Sequence, residues 1–329
     1  MNLLSGFCYF CMYLFNNMKI LFAAKTHEYL INELQKAGHT CVTKLLSNSG
    51  ELEAEISGYE GIIINSRFVI DKTIIDKAPL LRFIARVGAG MESIDVDYLG
   101  LKGILWFNSP EGNRQAVGEH TLGLLLNLLN KLHIADRQVR EGKWLREENR
   151  GTELSGKTIG IIGYGNMGSA FARCLYGFDL NVIAYDKYKT NYSDEFVCEK
   201  SLKEVFSQAD IVSIHVPLTD ETRYMVNNSF IKSFQKNFYL LNTARGSMLK
   251  TADLVENLKT GKVLGAGLDV LEYESPSFEK LSFADYPAPM QYLVKAPNVI
   301  LTPHIAGWSV EANYKHAKVL AEKILNAFR

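Results

Sequence analysis

The stretch TIGIIGYGNMG, residues 158–168, decides the fold. A short β-branched run leads into a cluster of glycines, and the residues beyond suit a helix. A GxGxxG motif alone is a weak signal. Directly after a strand and before a helix, it is the turn that a dinucleotide-binding βαβ unit requires. Gly163 permits the tight turn, Gly165 lets backbone approach a pyrophosphate, and Gly168 lets helix and strand pack closely. The helix N-terminus then faces the phosphates with its free N–H groups, and Tyr164, Asn166 and Met167 share that cradle. The next strand candidate, NVIAYD (181–186), ends at Asp186. A carboxylate there accepts hydrogen bonds from the ribose hydroxyls and repels a 2′-phosphate, which favours NAD over NADP. Lys187 and Lys189 follow closely and weaken that preference. The plainer reading is a glycine-rich turn and a solvated Asp.

On either side of this motif, strands alternate with helices. Upstream, residues 19–24, 61–65 (GIIIN), 81–87 and 104–108 are short apolar runs, with a helical stretch at 28–37 that stops at Gly38. Downstream, residues 211–216 (IVSIHV), 239–243 (YLLNT), 265–270 (GAGLDV) and 299–302 (VILT) continue the series. Short apolar runs bounded by turn residues suit buried parallel strands. The order predicts an α/β protein of two units, each a parallel sheet flanked by helices.

The 329 residues suggest about two domains. A 47% hydrophobic content excludes a disordered chain. Lys plus Arg and Asp plus Glu are both 36, so there is no basic excess and no nucleic-acid partner is expected. The cysteines Cys8, Cys11, Cys41, Cys174 and Cys198 are odd in number and mostly scattered, which points to a reducing cytoplasm rather than a disulfide framework. Cys8 and Cys11 form a CxxC without a second pair at metal spacing, so no metal is expected. Residues 1–17 carry no charge, and their apolar stretch is short of the about 20 residues that span a bilayer. An extension before Met18 is preferred to a membrane anchor, and no membrane partner is expected.

Residues 115–131, QAVGEHTLGLLLNLLNK, form a Leu-rich stretch of helical period with more apolar surface than one amphipathic face needs. Two readings stand: an inter-domain core helix, or a subunit contact. The charged residues 137–150, with Trp144 among them, suit an arm over a neighbouring subunit.

A second constellation lies at the carboxyl ends of later strands, where open α/β sheets place ligands. Arg245 follows YLLNT, Asp269 stands near the end of GAGLDV, Glu274 comes shortly after, and His304 follows VILTP. Each alone has an ordinary explanation as an ion pair, a solvated loop carboxylate or a structural histidine. On successive strand ends beyond a dinucleotide fingerprint, together they point to chemistry.

With these residues in view, the sequence resembles the D-isomer-specific 2-hydroxyacid dehydrogenases, the phosphoglycerate and glyoxylate/hydroxypyruvate dehydrogenase-like proteins. The matching segments are GYGNMG (163–168), HVPLTDET (215–222), LNTARGSML (241–249), LDVLEYE (268–274) and LTPHIAG (301–307), with VGAGMESID (87–95) and NSPEGNRQAVGEH (108–120) upstream. The resemblance covers essentially everything after Met18. It implies a doubly wound Rossmann domain, residues 113–305, inserted into a smaller flavodoxin-like α/β domain made of 1–112 and 306–329. It implies an NAD-dependent oxidoreductase of D-2-hydroxy or 2-oxo acids, a homodimer through the dinucleotide domain, and a catalytic trio of Arg245, Glu274 and His304.

The chemistry agrees. Reduction adds hydride to C2 while the carbonyl oxygen becomes an alkoxide, and an imidazolium at His304 donates the proton. Glu274 beside it would stabilise the imidazolium and orient the ring. Arg245 offers a planar fork to the substrate's carboxylate and 2-oxygen. Backbone N–H groups around Gly88, Ala89 and Gly90 would hold the same carboxylate. The resemblance also places His215, Pro217, Thr243, Ala244 and Asp269 at the cofactor, with Asp269 in a supporting role. His120, Asp210 and Lys250 are expected to be structural or solvated.

Some details depart from the pattern. The family's Glu is usually followed by Pro, but here Ser275 intervenes before Pro276, so Glu272 is a rival. Residues 277–296 are longer than the usual connection and suit a lid or an interface. Arg67, after GIIIN, either binds a distal anion such as a phosphate or lies on the surface. The specific 2-hydroxy acid is not readable, with 3-phosphoglycerate and glyoxylate/hydroxypyruvate favoured. A different class also stays open: an NAD-sensing, corepressor-like protein of the same fold.

Overall fold

The computed structural model describes residues 17–274 and 286–328. The Cys8–Cys11 pair, nearly all of the 1–17 segment, Pro276 and residues 277–285 lie outside the described residues. The chain divides into two compact units, with boundaries at Asn113/Arg114 and Gly307/Trp308. The first boundary falls inside helix Pro110–Asn130, where no turn residue signals it. The second comes two residues later than the expected 305/306. Ile305 and Ala306 donate their backbone N–H groups to Asp269, which ties them to the second unit.

The first unit carries a five-stranded sheet of β1 (Lys19–Phe22), β2 (Thr40–Thr43), β3 (Gly61–Ile64), β4 (Phe83–Arg86) and β5 (Leu105–Phe107). The order is β2-β1-β3-β4-β5, and every pair is parallel. This is the flavodoxin-like order. One face packs Met18, Ile20, Phe22, Ile63 and Phe83 against Leu320, Ala321 and Ile324 of helix Val310–Ala327. The last helix thus belongs to this unit.

The second unit carries β6 (Thr158–Ile162), β7 (Asn181–Tyr185), β8 (Val197–Glu199), β9 (Ile211–Ile214), β10 (Phe238–Asn242), β11 (Val263–Leu268) and β12 (Val299–Leu301). The order is β12-β11-β10-β9-β6-β7-β8, again parallel throughout. The chain reverses direction across the sheet between β6 and β9, the switch point where doubly wound sheets bind ligands. Leu124, Leu125, Leu128 and Leu129 of helix Pro110–Asn130 pack with Ile159, Ile161 and Leu241. Those leucines are core of the second unit, which accounts for the unusual apolar content of that helix.

Strands β2 and β8 escape the sequence reading. Both are edge strands with partly polar residues, TCVT and VCE. An edge strand lacks the two-sided burial that produces a continuous apolar run. The 137–150 segment begins as helix Leu132–Arg140. Residues 286–296 contain helix Ala288–Lys295, whose Met290 and Leu293 are buried in the unit's core.

Candidate active site

The glycine loop leaves β6 and opens helix Asn166–Cys174. Gly165 caps that helix without any side-chain hydrogen bond, so its first N–H groups are not capped by a side chain. A Cβ built on Gly165 would meet nothing within 4 Å, whereas one on Gly168 would lie 2.0 Å from the Gly163 carbonyl oxygen. Open space over Gly165 and close packing at Gly168 are what a pyrophosphate at a helix N-terminus requires.

Asp186 follows β7. Its carboxylate accepts from the Tyr164 N–H at 2.8 Å, the Tyr188 N–H at 2.9 Å and the Lys189 N–H at 3.0 Å. Partial burial opposes its charge, but those three N–H groups and the Lys189 ammonium outweigh it and hold the carboxyl below its ordinary pKa. Lys187 pairs with Glu221 at 2.5 Å, and Lys189 Nζ donates to the Tyr164 carbonyl at 3.0 Å. The negative group at the β7 end is therefore firmly ionised. These residues fit the adenosine half of a nicotinamide dinucleotide.

Across the switch point, His215 follows β9. Its Nε2 lies 2.8 Å from Ser213 Oγ, and its buried Nδ1 has no partner among the described residues. Burial pushes its pKa down to about 3, so the ring is neutral. Pro217 is exposed, and its carbonyl accepts from Thr222 Oγ1 at 2.7 Å. Thr243 points inward, with Oγ1 3.0 Å from Thr121 Oγ1 of the long helix. Ala244 donates its N–H to Asn242 Oδ1 at 3.0 Å.

Arg245, Glu274 and His304 follow β10, β11 and β12, neighbours in the sheet. Buried Asn242 shapes the Arg245 loop, because its Nδ2 donates to the Arg245 carbonyl at 3.0 Å. Gly246 then lies so close to the next loop that a Cβ would sit 1.9 Å from the Leu271 carbonyl oxygen. Only glycine allows that approach. Glu274 Oε2 lies 2.7 Å from His304 Nδ1, while Glu274 Oε1 accepts from the Leu271 N–H. Glu272 instead accepts the Thr251 N–H at 2.8 Å, at the start of helix Thr251–Lys259. The structure therefore sets Glu274, not Glu272, against the histidine.

Asp269 is 1% exposed and underpins this arrangement. It accepts from Thr302 Oγ1 at 2.5 Å, the Ile305 N–H at 2.9 Å and the Ala306 N–H at 2.8 Å. His120 Nε2 lies 3.1 Å from Thr302 Oγ1 and 3.4 Å from Asp269 Oδ1. Burial would raise the Asp269 pKa, but these donors together lower it. Thr302, Thr121 and Asn242 were not singled out in the sequence. Their signal is weak: a polar residue ending an apolar strand, and one Thr in a Leu-rich helix. Asp210 is also more than a solvated charge, because it accepts the Thr158 N–H at 2.9 Å and pairs with Lys236 at 3.0 Å.

In the first unit, the Gly88–Ala89–Gly90 loop follows β4, and Arg67 follows its sheet neighbour β3. Arg67 is exposed.

The fold and the β6 loop define a nicotinamide-dinucleotide-binding α/β protein. Residues 122–306 match the family described as D-isomer specific 2-hydroxyacid dehydrogenase, NAD binding domain, and the chain belongs to that family. It is 34% identical over 311 residues to D-3-phosphoglycerate dehydrogenase of Archaeoglobus fulgidus, covering 94% of this chain but 57% of that protein. It therefore spans little more than half the length of that relative. It is also 34% identical over 296 residues to hydroxypyruvate reductase of Thermotoga maritima, covering 86% of this chain and 93% of that one. Among solved structures, D-lactate dehydrogenase from Aquifex aeolicus, complexed with NAD and lactic acid, superposes with a TM-score of 0.80 at 27% identity, covering 94% and 95% of the two chains.

Proposed function

We propose that this protein is an NAD-dependent oxidoreductase of small D-2-hydroxy and 2-oxo acids, with His304 as its acid and base. The observation that carries this reading is the 2.7 Å contact between His304 Nδ1 and Glu274 Oε2. With Nδ1 so engaged, Nε2 is the nitrogen that gives or takes the substrate proton. Glu274 fixes the ring's orientation and balances the imidazolium. Arg245 binds the substrate carboxylate and polarises the 2-oxo group. A nicotinamide dinucleotide, when bound, would supply the hydride for reduction and accept it in oxidation. Gly163, Gly165, Gly168 and Asp186 would hold the dinucleotide, and in the first unit Ala89 and Gly90 would offer N–H groups to a carboxylate. In this reading residues 114–307 form the dinucleotide domain, and the other unit binds substrate.

The named relatives support hydroxypyruvate or 3-phosphoglycerate chemistry, and glyoxylate is a smaller 2-oxo acid of the same class. NADH oxidation with glyoxylate, hydroxypyruvate, pyruvate, 2-oxoglutarate and phosphohydroxypyruvate tests the proposal. Turnover of at least one supports it. No turnover, with NADH still bound, would favour the NAD-sensing alternative.

Exposed Leu132, Val139, Trp144 and Leu145 support a homodimer through the dinucleotide domain. Light scattering should find twice the chain mass, and Trp144→Glu should shift it toward monomer. Free Cys41, Cys174 and Cys198 suit a cytoplasmic protein. Among the described residues, no helix is long and apolar enough to cross a membrane.

A further inference from the structure

We infer that Asn108, Ser109 and His316 are positioning residues that turn the Gly88–Ala89–Gly90 loop into a two-pronged anion cradle. The inference rests on the proposed role of that loop in holding a substrate carboxylate.

The argument begins with peptide geometry. In a trans peptide, C=O and the following N–H point in opposite directions. The Gly88 carbonyl accepts the Ser109 N–H at 2.8 Å. The Ala89 N–H of the same peptide plane must therefore point away from Ser109. The Ala89 carbonyl accepts Asn108 Nδ2 at 2.6 Å. The Gly90 N–H must likewise point away from Asn108. Among the described residues, neither of these two N–H groups has a hydrogen-bond acceptor. Successive backbone N–H groups turned to one side form an anion-binding nest. Gly88 has φ of 143°, a left-handed conformation that L side chains rarely adopt, and its own N–H turns inward to Ser109 Oγ at 3.2 Å.

Asn108 and Ser109 are held in turn by helix Val310–Ala327. His316 Nδ1 lies 2.9 Å from the Ser109 carbonyl oxygen and 2.8 Å from Ser109 Oγ. The carbonyl can only accept, so Nδ1 carries the proton. Burial keeps the ring's pKa below its ordinary value, which leaves that N–H as its single donor. Lys323 Nζ donates to the Asn108 carbonyl at 2.9 Å and pairs with Glu111 at 3.0 Å. Gly112 admits the His316 helix, since a Cβ there would lie 2.6 Å from Nδ1. The C-terminal helix thus grips two residues, and these grip two carbonyls of the loop. Fixing both carbonyls fixes the direction of both outward N–H groups before a substrate arrives.

His316→Leu removes the donor and retains bulk, whereas His316→Asn places an amide N–H near the position of Nδ1. With glyoxylate or hydroxypyruvate, His316→Leu should raise KM about tenfold while the NADH dissociation constant stays within about twofold. His316→Asn should recover most of that loss. An unchanged KM in His316→Leu, or no recovery in His316→Asn, overturns the inference. If His316→Leu does not fold, Asn108→Ala, which leaves the helix intact, must show the same rise in KM. An unchanged KM there also overturns it. A wild-type protein inactive on every 2-oxo acid would sink the proposed function alone. The cradle is then judged by the ¹⁵N-labelled Ala89 and Gly90 amides of the NADH-loaded chain titrated with oxamate. Shifts in the wild type that are lost in His316→Leu or Asn108→Ala support the cradle, and no shift in the wild type rejects it.

Discussion

Asp269 holds the turn that presents His304. The His304 N–H donates to the Asp269 carbonyl at 2.8 Å, and the Asp269 carboxylate takes the next two backbone N–H groups at 2.9 and 2.8 Å. His304 has φ of 56°, which is uncommon for a residue with a side chain. The buried carboxylate on the neighbouring strand end stabilises that conformation against its local strain. Asp269→Asn replaces one acceptor oxygen with an N–H₂ group facing donors. Chemical denaturation should show a loss of about 1.5–3 kcal/mol, with kcat falling as the turn loosens. Stability and kcat both at wild-type values would remove Asp269 from this role.

The two glutamates after β11 should separate cleanly. His304→Ala should lower kcat for reduction by about 10²–10⁴-fold with NADH binding near normal. Glu274→Gln should lower kcat in the same direction, because the ring loses the anion at Nδ1. Glu272→Ala should leave kcat near wild type and cost about 1 kcal/mol in stability, through the lost hydrogen bond to the Thr251 N–H. Kinetics and urea melts of the three variants decide the matter. A kcat collapse in Glu272→Ala with none in Glu274→Gln would reverse the assignment.

Cofactor choice should depend on Asp186. Asp186→Ala should weaken NAD binding and relax the rejection of NADP, since one group supplies both the ribose acceptor and the negative charge. The variant also orphans the N–H groups of Tyr164, Tyr188 and Lys189, so the loss with NAD includes loosening of the loop. The ratio of kcat/KM for NAD to that for NADP is the readout. An unchanged ratio would falsify the role.

Acid stability should carry the signature of His215. The folded protein keeps this ring neutral down to about 3, while in the unfolded chain it takes up a proton near 6.5. Protonation therefore favours unfolding. The stabilisation is complete above pH 6.5 and is lost as pH falls from there toward 3. One proton corresponds to a slope of about 1.4 kcal/mol per pH unit. Denaturation of wild type and His215→Gln across that window should differ by about this slope. Parallel profiles would mean the ring is protonated in the folded state.

Substrate size should depend on Arg67. If this exposed side chain meets a distal anion, Arg67→Ala should reduce kcat/KM for phosphohydroxypyruvate by about tenfold or more, and far less for glyoxylate. Equal losses on both substrates would place it outside the pocket.

Much of the architecture was readable in the chain. The central strands are buried on both faces, so each must be a continuous apolar run, as in TIGII, IVSI and GIII. A tight turn into a helix N-terminus needs small residues at set intervals, and GYGNMG supplies them. The proposed catalytic residues Arg245, Glu274 and His304 stood out because each follows an apolar strand. Edge strands β2 and β8 left no such mark.

What the one-dimensional pattern could not decide is which neighbour each polar group meets. The spacing after β11 left Glu272 and Glu274 both eligible, and only the folded turn aims Glu274 at His304. Likewise Ser109 and His316 stand far apart in the chain, and nothing local marks either of them. They meet because the C-terminal helix returns to the first sheet, and helix return is driven by apolar burial around Leu320 and Ile324. Apolar periodicity is a local property, so the sequence alone determines the buried central elements and their order. Hydrogen-bond partnership is short-ranged and directional, so it exists only once packing has brought distant strand ends and helices within about 3 Å of one another.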